Sequence, residues 1–364
     1  MADPSIATAD LRAAVASGLI TEIQAVGLAT LAQSRAGQRA AMPAEDEPFE
    51  FFKGFSEIFV SIGLIILLAG ISMLISWLGG PTMLILLPVL AAAIAWWWAT
   101  YFTLKRRMNL PSMVLATAYG SGLFGSALAL FGQASLPDRA ALVLAALVAV
   151  AAMALWYRRF RLPFAMFVLG LFALAAIYAL TAGAQALIGL SDGTGLAGGI
   201  FDLRSSPQFS LATLLFGVLA FVGAMWFDTR DPYRLGRHAA TAFWLHLLAA
   251  PALVNTVALT LYNIGGTTGM LTTAAALALI AALALIIDRR SFLTAGIAYI
   301  ALVISWAVQG GGGGGFGHWT MIMLLLGALV TALGTWWVPL RTGLMTRLPD
   351  FPGKSRLPPY GMPA

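Results

Sequence analysis

Residues 142–180 read LVLAALVAVAAMALWYRRFRLPFAMFVLGLFALAAIYAL, and the rest of the chain from 58 to 337 repeats their grammar. Two apolar runs, 142–156 and 163–180, flank Tyr157-Arg158-Arg159-Phe160-Arg161. Each run is long enough to cross a hydrocarbon layer of about 30 Å as a helix rising about 1.5 Å per residue. The arginines between them mark one membrane face, where the chain turns back as a hairpin.

Composition agrees. Hydrophobic residues make up 60% of the 364 and charged residues 10%, against about 25% charged in a soluble domain. The net charge of +6 comes from basic residues at the ends of apolar runs, which is topological information and excludes nucleic acid as the partner. With no cysteine, disulfides, thiolate nucleophiles, iron–sulfur ligation and cysteine-based zinc sites are excluded. No cofactor motif or metal-ligand cluster is present. The protein is expected to be all-α, a polytopic transmembrane bundle whose first partner is the lipid bilayer.

Four regions follow from the change in character along the chain. Residues 1–53 hold 4 Lys or Arg against 7 Asp or Glu, whereas the remainder holds 17 against 8. Residues 1–40 are expected to form a cytoplasmic helical hairpin: Thr8 or Asp10 caps a helix over 11–17 that stops at Gly18, and Thr21 with Gln24 has capping-box spacing for a second helix ending near Arg35. Its apolar residues, among them Leu11, Val15, Leu19, Ile23 and Leu28, are too few for a stable core. That points to self-association or a protein partner through residues 1–40. A DNA-binding helix-turn-helix is disfavoured because 22–34 contains no Arg or Lys to meet phosphates. Residues 41–54 form an acidic linker, 55–340 a membrane domain, and 341–364 a cytoplasmic Pro-rich tail.

The membrane domain parses into ten spans: 58–77, 83–102, 112–131, 140–156, 164–180, 211–227, 241–261, 270–287, 292–308 and 321–337. Placing both termini in the cytoplasm puts 19 of the 21 Lys and Arg inside, leaving only Arg139 and Arg204 outside, as in a bacterial inner (plasma) membrane protein. The inside turns Lys105-Arg106-Arg107, Arg158-Arg159-Phe160-Arg161 and Asp288-Arg289-Arg290 resemble one another. They read either as weak repetition of a hairpin or simply as positive-inside charges. Ten spans also permit a five-plus-five inverted repeat. On the outer side, 181–209 is a glycine-rich connection and 310–315 is a run of six glycines, which reads as a flexible connection because it lacks the Lys and Ser/Thr of a phosphate loop.

Ionisable residues inside spans are the usual pointer to a transport path. The acidic residues fall in the N-terminal segment, loops or tail, with Glu57 at the start of the first span, and His246 in the seventh span is the exception. Pro251 frees a backbone carbonyl one turn earlier, and Asn255 follows. His246, Pro251 and Asn255 therefore form the candidate intramembrane polar site. Nine positions put His246 and Asn255 on roughly opposite sides of an ideal helix, so they share a site only if Pro251 twists it. His238, His246 and His318 are placed too far apart to hold haem or metal. Trp96-Trp97-Trp98, Trp156, Trp226, Trp306, Trp319, Trp336 and Trp337, most of them near span ends, read as an interfacial aromatic belt. Ser121 with Gly125, and Gly122 with Ser126, mark close helix packing.

Leu11-Arg12, Gly18-Leu19-Ile20-Thr21 and Gln24-Ala25 ahead of a many-span region, with Leu326-Gly327 to Trp336, Arg341, Leu348-Pro349 and Leu357-Pro358-Pro359 behind it, resemble the layout of DUF2157-type bacterial membrane proteins. Gly18-Leu19-Ile20-Thr21 is also similar to the short oligomerisation hairpins called SHOCT domains. Neither resemblance implies catalytic residues. The sequence leaves two functions open: transport or lipid and small-molecule handling through the bundle, or a non-catalytic membrane subunit whose N-terminal hairpin docks another protein. An enzyme ranks below both, since no nucleophile, base and oxyanion group can be brought together.

Overall fold

A computed structural model describes residues 8–21, 23–25, 28, 54–78, 80–182, 201–232, 234, 237–309, 316–358 and 360. The chain divides into two compact units, Met1–Glu47 and Pro48–Ala364. In the first, α1 spans Thr8–Ala16. Gly18 at φ +73° ends it in the left-handed conformation that a glycine adopts without strain. The capping box forms: Thr21 N donates to Gln24 Oε1 at 2.9 Å and Gln24 N to Thr21 Oγ1 at 3.3 Å. Most of the expected second helix and the linker up to residue 53 lie outside the described residues, as do most of the 181–209 connection, the 310–315 glycine run and the side chains of Trp306, His318 and Trp319.

In the second unit every regular element among the described residues is helical, because lipid offers backbone N–H and C=O groups no water. The helices are α2 (Phe55–Leu78), α3 (Pro81–Ala99), α4 (Asn109–Gln133), α5 (Asp138–Phe160), α6 (Phe164–Ala182), α7 (Pro207–Asp228), α8 (Arg237–Tyr262), α9 (Gly266–Ile287), α10 (Ser291–Gln309), α11 (Phe316–Thr335) and α12 (Trp337–Arg347). Among the described residues eight of these are long and apolar enough to cross a membrane, or nine if α11 and α12, bent by 68° at their junction, count as one span. The ninth span expected from sequence coincides with α10, which is not among the eight.

Packing is built on small residues. Ala92, Ala95 and Ala99 of α3 and Ala145, Ala146, Ala149 and Ala152 of α5 are buried, while Leu144, Leu147 and Leu155 point outward. With lipid as apolar as leucine, helices associate through close backbone approach, which small side chains permit. One expected small-residue pair does this. A Cβ on Gly122 would lie 2.7 Å from the Pro88 carbonyl oxygen of α3, and Ser126 Oγ donates to the Ile85 carbonyl at 2.9 Å. Gly125 has nothing within 4 Å of such a Cβ.

Two cores result. One joins α2 to α6 around Trp96, Tyr119, Trp156 and Phe160; the other joins α7, α8, α9, α10 and α12 around Ala249, Val254, Leu277, Phe292 and Trp337. Phe216, Leu248 and Ala252 bridge them against Phe167 of α6. The hubs differ: α4, third of its group, packs on α2, α3, α5 and α6, whereas α8, second of its group, packs on α6, α7, α9 and α10. That difference gives no support to an inverted repeat. The aromatic belt holds for Trp97, Trp226 and Trp336, which are exposed, but must be corrected for Trp156 and Trp337, which are buried. The Trp156 ring contacts Phe160 at 4.5 Å and Tyr119 at 4.9 Å, so this tryptophan fills volume inside the bundle.

The basic turns gather at one end of the bundle, here called the basic face, tied by Tyr157 to Thr241 and by Arg234 to Asp288. Glu57, buried there, accepts from Asn109 N at 3.0 Å and Leu110 N at 3.2 Å. It caps α4, whose own N-cap residue Met108 has no side-chain bond to offer. Arg107, Arg161, Arg234 and Asp288 all have positive φ. The three similar turns thus share a left-handed residue two or three positions before the next helix. At the opposite end the two exceptional arginines are both helix caps: Arg139 donates to the carbonyls of Ala179 and Leu180 and Arg204 to that of Asn263. Beside Arg204, burial pushes the Asp202 carboxyl up, but hydrogen bonds from Arg204 N, Asn263 and Ser205, with the Arg204 charge, hold it below the usual carboxylate range.

Replacing Gly122 with alanine forces α3 and α4 apart and lowers the thermal unfolding midpoint in detergent, at a cost of about 1–3 kcal/mol. Gly125→Ala, with open space around it, leaves the midpoint unchanged or raises it slightly through helix propensity.

Candidate functional site

Helix α7 runs one residue beyond the apolar run seen in the sequence, so its last residue, Asp228, becomes part of the bundle. It is 4% exposed, and a carboxylate at a helix C-terminus also faces the negative end of the helix dipole. Two partners answer it. His246 Nε2 of α8 lies 2.8 Å from Asp228 Oδ2. The guanidinium of Arg289 donates from Nε to Oδ2 at 3.1 Å and from Nη2 to Oδ1, a two-pronged ion pair. Arg289 Nη2 also reaches the Ala239 carbonyl at 3.3 Å, so one side chain ties α7, the start of α8 and the α9–α10 turn together.

The hydrogen-bond pattern fixes the imidazole. Both Asp228 oxygens accept from Arg289, so His246 Nε2 is the donor in its contact with Asp228. Among the described residues Nδ1 has no hydrogen-bond partner, and the rings of Phe221 and Phe292 stand 5.6 and 5.8 Å away. The Asp228 and Arg289 charges oppose each other in a triad whose three members are all buried.

Local backbone geometry places Arg289. Asp288 caps α9 at φ +58°, and Arg289 N donates back to the Ala284 carbonyl at 2.9 Å, the six-to-one bond of a Schellman turn. The turn sends adjacent side chains to different partners. Asp288 accepts from Trp337 Nε1 at 2.6 Å and pairs with Arg234 at 3.1 Å and Arg341 at 3.7 Å. Arg341 also donates to the carbonyls of Leu285 at 3.0 Å and Pro358 at 2.6 Å, fastening α12 and the residues after it to the end of α9.

His246 is therefore engaged by Asp228, which is itself held by Arg289, and neither stands in the site expected from the sequence. Pro251 is exposed and Asn255 half-buried, and Asn255 stands about 13 Å further along α8. The register of the α7–α8 hairpin brings Asp228 toward His246. Gly217 meets Leu253, and Gly223 meets Leu245, so antiparallel pairing sets Asp228 opposite residues 240–242 of α8, one to two turns before His246, and the two side chains meet across that offset. The arrangement holds no nucleophile, and no group of three metal-ligating residues occurs among the described residues. Its chemistry is that of a lock.

Space lies elsewhere. A groove of about 750 Å³ runs between α2, α3 and α4, within the about 300–1,000 Å³ typical of small-molecule sites. Ile65, Ala69 and Pro88 supply carbon surface, and Thr117, Ser121 and Gly125 form a wall of small residues on α4. The hydroxyls of Ser72, Thr117 and Ser121 donate to carbonyls of their own helices, which leaves an apolar lining. Phe164 and Trp244, edge to face at 4.8 Å, stand at its basic-face end. Comparison with protein-family models, curated proteins and solved structures gives no match.

Asp228→Asn and Arg289→Met, each leaving a buried group unpaired, lower the stability of the detergent-solubilised protein by about 3–5 kcal/mol. The double variant Asp228→Leu/Arg289→Leu recovers much of the loss, as read by thermal unfolding of the three proteins beside the parent.

Proposed function

We propose that this protein binds and handles an apolar or amphipathic molecule dissolved in the bilayer, using the groove between α2, α3 and α4, with the α7–α10 region as its rigid frame. The observation that carries this reading is the groove itself, a sizeable apolar concavity within the membrane-spanning bundle, whose polar side chains are bonded back to their own helices. The triad at His246 supports the frame role, since an ion pair closed on all sides resists movement of the helices it joins. A DUF2157-type layout is compatible with this role. We also infer ten spans, with α10 as the ninth, and both termini on the cytoplasmic side of a bacterial plasma membrane, because lysine and arginine accumulate on one face.

A second reading, a non-catalytic membrane subunit, is favoured by the first unit, where Leu19 is 79% and Ile23 85% exposed. Apolar side chains this open are unfavourable in water by about 25 cal/mol per Å² and suit a protein partner or a second copy. Deleting residues 1–40 separates the two: under the groove reading ligand capture persists, while under the subunit reading cross-linked higher-mass species disappear.

The groove is tested with a photoactivatable-acyl phospholipid. Label should concentrate on α4 near Thr117, and the groove-filling pair Ser121→Leu/Gly125→Leu should reduce it at least several-fold. Labelling no greater there than on the open face of α7, at Leu215 and Leu219, or unaffected by the filling pair, sinks the proposal.

A further inference from the structure

The last turn of α3 widens into a π-helical turn over Thr100–Lys105, marked by Arg106 N donating to the Tyr101 carbonyl five residues back at 2.9 Å. Such a turn inserts one extra residue into the helix and recurs at functional sites. Here it lines a separate cavity of about 460 Å³ with Trp97, Tyr101 and Lys105, floored by Leu64 and Phe102. The cavity reaches from Lys105 at the basic face inward to Leu64, more than two turns into α2.

Its polar groups donate. Lys105 is exposed, and among the described residues no hydrogen bond or ion pair engages its ammonium. Arg106 Nε donates to Tyr101 Oη at 3.0 Å, so the Tyr101 hydroxyl keeps its own proton to give. The Thr100 hydroxyl is already spent on the Trp97 carbonyl at 2.6 Å. Of the three consecutive cations, Lys105 lines the cavity and Arg106 is held beside it by Tyr101, while Trp97 is 70% and Tyr101 43% exposed. A ligand for this cavity therefore joins an anionic, hydrogen-bond-accepting head to an apolar body.

We propose that this cavity binds the phosphate group of an anionic membrane lipid, with Lys105 as its counter-ion and Tyr101 as a second donor. The site shares no residue with the α2–α4 groove and stands without it. Basic pockets between membrane helices recognise acidic headgroups, each basic residue near the surface being worth about a fivefold change in partitioning.

The test uses the full chain in nanodiscs, with brominated phosphatidylglycerol or brominated phosphatidylcholine as quencher. The Trp97 contribution is taken as the difference between the parent and Trp97→Phe. Phosphatidylglycerol should quench Trp97 at about fivefold lower mole fraction than phosphatidylcholine. Lys105→Gln should abolish the preference and Lys105→Arg retain it, and since residue 105 is exposed both variants fold. Relief of quenching by millimolar inorganic phosphate makes the phosphate group alone sufficient, and no relief assigns recognition to the lipid. Equal quenching by the two lipids, or a preference that survives Lys105→Gln, overturns the proposal.

Discussion

Asp228 occupies a position that neither water nor lipid solvates, and the order of the α7–α10 half follows from how it is neutralised. Arg289 must come to it from the α9–α10 turn, which requires that turn to be sharp, and the left-handed Asp288 makes it so. Asp288 in turn needs Arg234, Arg341 and Trp337, which draws in the loop after α7 and helix α12. Two adjacent residues, one acidic and one basic, thereby hold five chain segments. A buried pair of this kind contributes less to net stability than its Coulomb energy suggests, because desolvation consumes most of it. Its larger effect is to make alternative packings of these helices expensive, since any slippage leaves a charge stranded.

The other half has no such device. Between α2 and α6 the interior is alanine and aromatic, and α2 rests on α3 and α4 with most of its surface turned outward. Alignment there relies on Glu57 capping α4 and on the close approach of Gly122 to Pro88. The division of labour is physical: charge fixes one half, while the other keeps an unfilled groove beside a lightly held helix. The same contrast explains why the most buried span is α8, the hub of the locked half.

Class, helix positions and the basic face were legible in the sequence because they rest on local quantities, namely the length of an apolar run and the residues at its ends. The Thr21–Gln24 box and the Gly122–Ser126 contact were legible for the same reason. What escaped was everything that depends on which helix meets which. Asp228 looked like a loop residue because it lies one position past an apolar run, and Arg289 looked like a topological charge although it is 1% exposed. Trp156 and Trp337 carry the same signature as belt tryptophans, and only their neighbours distinguish them. Arg139 and Arg204 stood out as exceptions, and their capping role needed the positions of the helix ends beside them. For His246 the sequence located an unusual residue and could not supply its partners.

The spacing of the triad along the chain bears on how the protein is made. His246 follows Asp228 by 18 residues and Arg289 follows it by 61. At a synthesis rate of about 5–20 residues per second, Asp228 waits roughly 1–4 s for the imidazole and roughly 3–12 s for the guanidinium. During that interval α7 carries an uncompensated carboxylate at its end, and a chain truncated anywhere before residue 289 carries it permanently. Closure of the triad thus waits on synthesis past residue 289.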